Sequence, residues 1–166
     1  MNQFEKTALA GFMGTNFMTA SSEAMSLIMG ENFREPEHLE TIIGRLAPHL
    51  SKHAKKIAAW GAHYAVGVMF AAIYVELWET RKIKHSLKNG LILGTLSGIL
   101  GFLIWKGTFK AHPLPHWLNY SHFYLQIIPA HIVFAVFATL TYRIIKSNEA
   151  IITPVSETDA ATNQTA

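Results

Sequence analysis

Two histidines carry the sharpest chemical signal in this sequence. His63 stands in the run IAAWGAHYAVGVMFAAIYVELW and His131 in FYLQIIPAHIVFAVFATLTYRII, both poor in charge. Each belongs to one pattern, Ala-His-x3-small-x6-Tyr. The first copy is Ala62, His63, Gly67 and Tyr74; the second is Ala130, His131, Ala135 and Tyr142. Eleven residues make about three turns of α-helix, so each His shares a face with its Tyr, and the small residue sits between them. An imidazole in an apolar setting can pass protons, because its ordinary pKa lies near neutrality. Two imidazoles at similar depth on neighbouring helices can also ligate a b-type haem from both sides. The small residue at His+4 would then let a flat ring approach the backbone. The plain alternative is that each ring hydrogen-bonds a neighbouring helix and holds a bundle together. Haem is the weakest of the three, because cytochrome b spans often supply two histidines each and these supply one.

Glu23 is the remaining candidate. It lies about 9 Å of helix from Gly30, so it stands at an interface or is buried and paired with His63, His131 or Lys106. The interfacial reading is preferred; a buried Glu23 would extend a proton path. Thr15, Asn16 and Thr19 read as packing. Glu76 and Glu79 read as a solvated helix end meeting Arg81 and Lys82. The other histidines (His38, His49, His53, His85, His112, His116, His122) fall in loops or at interfaces. His49 and His53, four apart, could face one metal ion on a helix. No HExxH run or third ligand accompanies them, so no metal site is expected, and the stiff His112-Pro-Leu-Pro-His116 loop is read the same way. There is no cysteine, phosphate loop, dinucleotide fingerprint or Ser/His/Asp set, so nothing points to an enzyme. No basic stripe interleaved with aromatics supports nucleic-acid binding.

The elements that must position these residues follow from charge segregation. Only 15% of residues are charged, against about 25% in soluble domains. The deficit falls in four stretches: 8–29, 57–78, 90–109 and 123–145. A spanning helix needs about 20 mostly apolar residues, because every backbone group in lipid must be bonded internally. The last three stretches meet this well. The first carries Asn16, Glu23, Ser and Thr; it reads as an uncleaved span that faces protein rather than lipid. In the first connection, Arg34-Glu35-Pro36 starts a helix, and Leu39, Ile42, Ile43, Leu46 and Leu50 recur at helical spacing. That is an amphipathic helix at the membrane surface, bent or split by Pro48. Lys110 to His122, with Trp117 and Tyr120, reads as an interfacial loop. Residues 147–166 read as a disordered polar tail. Lys and Arg fall seven to each side. The dense short loop Arg81–Lys88 favours both termini in the cytoplasm.

The two His patterns suggest an internal repeat. Gly11-x-x-Gly14-Thr15 faintly echoes Gly90-x3-Gly94-Thr95. The expected fold is therefore an all-α integral membrane four-helix bundle, two similar hairpins about a pseudo-twofold along the membrane normal. From Trp60 to Lys146 the run WGAHYAVGVMFAAIYVELWE, a short basic loop, GLILGTLSGILGF, a Pro-rich loop and PAHIVFAVFATLTYRIIK resembles the YagU-type inner-membrane proteins, a family of uncharacterised function. That resemblance implies a bacterial inner-membrane location and a loose link to acid stress, and it supplies no catalytic residues. The functional expectation is a non-enzymatic membrane protein without cofactor that conducts or senses protons or small solutes, as a homo-oligomer or with a membrane-protein partner. The alternatives are an electron-transfer subunit linked to haem b or quinone, with His63 and His131 as ligands, and a membrane scaffold or assembly partner.

Overall fold

The structure is a computed structural model that describes residues 1–114 and 118–162, with side chains to Ile151. It contains α1 (Gln3–Met29), α2 (Glu35–Leu46), α3 (Lys52–Glu79), α4 (Leu87–Ala111) and α5 (Tyr120–Thr162). No strand occurs among the described residues. Local chemistry sets the ends. Asn2 accepts from the Glu5 backbone N–H while the Glu5 carboxylate accepts from Asn2, a capping box. Ser51 and Ser86 cap α3 and α4 through Ala54 and Asn89. Gly30 closes α1 at φ 68°, where a Cβ would be strained. Helix α2 carries Pro36 in its first turn and stops at Leu46, because Ala47 precedes Pro48 and leaves helical geometry.

All four long stretches are helical, each with bounds somewhat wider than the charge pattern suggested. Three helices are long and apolar enough to cross a membrane: Lys52–Glu79, Leu87–Ala111 and Tyr120–Ile151. Helix α1 has 27 residues, a sufficient length, but its polar residues keep it out of that group. The helix of α5 continues to Thr162, into the segment whose composition reads as a disordered tail. Pro115, His116 and Trp117 lie outside the described residues, and with them one histidine of the Pro-rich loop and one interfacial aromatic.

Helix α4 lies along α5, α5 along α1, and α1 along α3, while α2 rests on α3. Small residues permit these approaches. A Cβ on Gly94 would fall 2.6 Å from the Ile132 Cα, and one on Gly11 2.7 Å from the Val68 Cα, so the backbones touch. The His+4 positions belong to the same contacts. Thr15 fills the space over Gly67, and Ala135 packs on Gly94. Helix packing occupies the space that a flat cofactor ring would need.

Polar residues are buried among the apolar core, while large apolar residues face outward. Thr15, Ser22, Ser26, Ser97, Gln126 and Thr139 are buried; Val66, Met69, Leu96, Leu100 and Leu103 are exposed. A soluble domain sorts these residues the other way. Helix α1 follows the same rule, with Thr7, Gly11 and Thr15 inward and Leu9, Phe12 and Met13 outward. Its outer face is thus bulky and apolar, contrary to the expectation of a helix that faces only protein.

Candidate functional site

Helices α3 and α5 bring His63 and His131 to one niche of about 30 Å³, lined also by Thr15, Met18, Phe70 and Phe134. The two histidines are 7% and 6% exposed. The hydroxyl of Thr19, on α1, donates to the Thr15 carbonyl at 2.8 Å and lies 3.0 Å from His63 Nε2. With its one proton so used, Thr19 accepts from His63 Nε2–H. His131 Nδ1 lies 2.9 Å from the Ile127 carbonyl, which only accepts, so Nδ1–H donates there. Each neutral ring therefore keeps one nitrogen lone pair, His63 Nδ1 and His131 Nε2, able to take a proton. The niche holds roughly one water. It does not fit a porphyrin: Phe70 packs edge-on against His131 at 5.7 Å, and the Gly101 backbone closes over Nε2.

Phe70 and Phe134 separate this niche from the next polar layer. There the Tyr74 hydroxyl donates to Ser97 Oγ at 2.7 Å, and Ser97 donates to the Gly94 carbonyl at 3.1 Å. Tyr142 packs on Trp78 with ring centroids 4.7 Å apart, and its hydroxyl bonds the Glu79 carboxylate. Seven of the eight residues of the repeated pattern are buried; Ala62 is exposed. Glu79 is not the solvated end expected of it. It pairs with Lys6 at 3.0 Å and Lys146 at 3.8 Å, and Lys6 also meets Glu149 at 3.2 Å. Arg81 and Lys82, its expected partners, form no ion pair with it.

The opposite end holds two groups that sequence reasoning missed. The buried face of α2 carries Glu35, Pro36, His38 and Ile42; the apolar stripe through Leu39, Ile43 and Leu46 is only partly covered. Glu35 accepts from Gln126 of α5 at 3.5 Å, and Gln126 accepts from Ser22 of α1 at 3.3 Å. The other Glu35 oxygen is buried without a hydrogen-bond partner among the described residues. Burial pushes this carboxyl up to about 7, against the bonds from its own backbone and from Gln126. His38 was expected in a loop. It is fully buried, with Nε2 3.0 Å from the Asn32 carbonyl and its ring edge-on to Phe123 at 5.0 Å. Burial holds its pKa below the usual value, opposed by the Asn32 carbonyl. The Glu35-x-x-His38 spacing, which puts both on one helical face, was the available signal.

Glu23 stands half-exposed and pairs with Arg34 at 2.7 Å, not with His63, His131 or Lys106. His49 precedes the start of α3 at Lys52, so it and the exposed His53 do not share a helix face. No three His, Asp or Glu side chains converge as a metal site among the described residues. His122 bonds Glu31 at 2.6 Å.

These features define an all-helical protein with three helices long and apolar enough to cross a membrane, wrapped around layers of buried polar groups. No protein family, curated protein or solved structure was found to match the chain.

Proposed function

We propose that this is a non-enzymatic, multi-pass bacterial inner-membrane protein that passes protons through the interior of a bundle of four spans, with α1 as the fourth. The resemblance of residues 60–146 to the YagU-type proteins is part of this proposal. The observation that carries it is the pair His63 and His131: two imidazoles from different helices sharing one enclosed niche, each with a lone pair to spare. Ionisable groups inside a membrane are costly, and function is the default reason to keep them. Tyr74–Ser97 and Tyr142–Glu79 continue the polar series towards one surface, and Gln126–Glu35 towards the other. Phe70 and Phe134 form an apolar plug in that series, so this conformation is closed. The haem alternative finds no room, and no observation favours it.

The test is proton flux into liposomes carrying the purified protein and a pH-sensitive dye. Phe134→Ala opens the plug and raises flux about tenfold or more over the unmodified protein. Adding His63→Ala or His131→Ala returns it to background. Flux that survives both histidine substitutions, or plug removal without any flux, refutes the reading.

A further inference from the structure

A second feature lies at the end of the bundle where α3 turns into α4. A hollow of about 730 Å³ is lined by Trp78, Arg81, Lys84, His85, Tyr142 and Arg143, and by one carboxylate, Glu79, which is paired with Lys6 and Lys146. Lys146 at its rim is engaged by Glu79 and Glu149. Arg81, Lys84 and Arg143 pair with no carboxylate among the described residues. Three unneutralised cations around one hollow repel each other, so an anion seated there is favoured. A further, independent observation points the same way. The Trp78 indole N–H is buried and has no acceptor, in a residue only 3% exposed. An orphaned buried donor is costly, and an acceptor oxygen would recover that cost.

The hollow adjoins a second one of about 560 Å³ that shares His85, Arg143 and Lys146 and runs on to Leu140 and Ile144. Ile144 is exposed on the outer, apolar side of α5. A ligand seated on the cations thus has an apolar flank beside it on the lipid-facing wall.

We infer that this corner binds a phosphate ester, the headgroup of an anionic phospholipid, on Arg81, Lys84 and Arg143, with its acyl chains along Leu140 and Ile144. The Trp78 N–H supplies a directed donor and the cations supply the charge. The site shares Tyr142 and Glu79 with the outer end of the polar series but no residue with the histidine niche that carries the proton proposal, and the substitutions tested here touch neither.

Native mass spectrometry of the full chain in neutral detergent tests it, with phosphatidylglycerol or phosphatidylcholine added. The protein retains phosphatidylglycerol in preference to phosphatidylcholine. Lys84→Gln with Arg143→Gln lowers that retention about tenfold or more, at roughly a decade or less per charge. Trp78→Phe, which keeps a ring and removes the N–H, lowers it about fivefold. This variant carries the test if circular dichroism shows the double variant unfolded. Lys106→Gln with Lys110→Gln, at the other end of α4, leaves retention unchanged. Inorganic phosphate at millimolar concentration displaces the lipid only weakly, since it lacks the chains. Equal retention of the two lipids, or undiminished retention in both the double variant and Trp78→Phe, overturns the proposal. So does inorganic phosphate that competes as well as lipid, which makes a free phosphate the ligand.

Discussion

Glu35 is the residue whose behaviour is most sharply set by its surroundings. Its carboxyl has an ordinary value of 4.5 in the unfolded chain and about 7 in the fold. Between those values the native state binds more protons than the unfolded one, so stability falls as pH rises through that window. The full effect is about 3 kcal/mol by linkage, an upper bound. His38 has the opposite sign. Its pKa is lowered on folding, so its contribution is present above 6.5 and is lost as pH falls through the lowered value. Thermal unfolding of detergent-solubilised protein from pH 4.5 to 8 should show stability rising on acidification from neutrality. Glu35→Gln should flatten that slope while leaving the His38 loss at low pH. An unchanged slope in Glu35→Gln means the carboxyl is not buried where α2 meets α5.

At the scale of helices, close approach through glycine decides the packing. Gly94 meets the Ile132 backbone, which cannot move aside as a flexible side chain could. Gly94→Val should destabilise by about 1–3 kcal/mol through overpacking, read as a lower melting temperature. Gly61 in α3 has nothing within 4 Å of a built Cβ. Gly61→Ala should therefore stabilise by about 0.5–1 kcal/mol, through helix propensity alone. If both substitutions act alike, the α4–α5 contact is not the close one described. Helix α1 illustrates the same point: its small and hydroxylated residues line α3 and α5, while Leu9, Phe12 and Met13 form an outer apolar face.

At the scale of the whole molecule, the open question is which helices cross a bilayer. The absence of native cysteine permits single-cysteine labelling with an impermeant maleimide. With four spans, Asn2→Cys and Lys82→Cys label from one side of the membrane, and His49→Cys and Asn119→Cys from the other. Asn2→Cys labelling with His49→Cys would show that α1 does not cross. The ion cluster of Lys6, Glu79 and Glu149 ties α1, α3 and α5 together at the Asn2 end.

Helical periodicity and charge segregation were legible in the sequence because both are local. The four long helices, and the shared face of His63 with Tyr74 and of His131 with Tyr142, follow from spacing along one chain. The position of Glu23 near the end of α1 was legible for the same reason. What spacing cannot supply is the distance between chain segments remote in sequence. Only the tertiary structure put the two histidines in a single niche, closed that niche with Phe70 and Phe134, and gave Glu79 to Lys6 rather than to its neighbours Arg81 and Lys82. Only it turned α2 so that Glu35 and His38, not the apolar stripe beside them, lie against α5. Burial depends on what packs over a residue, and that is a property of the assembled helices, not of the segment that carries the residue.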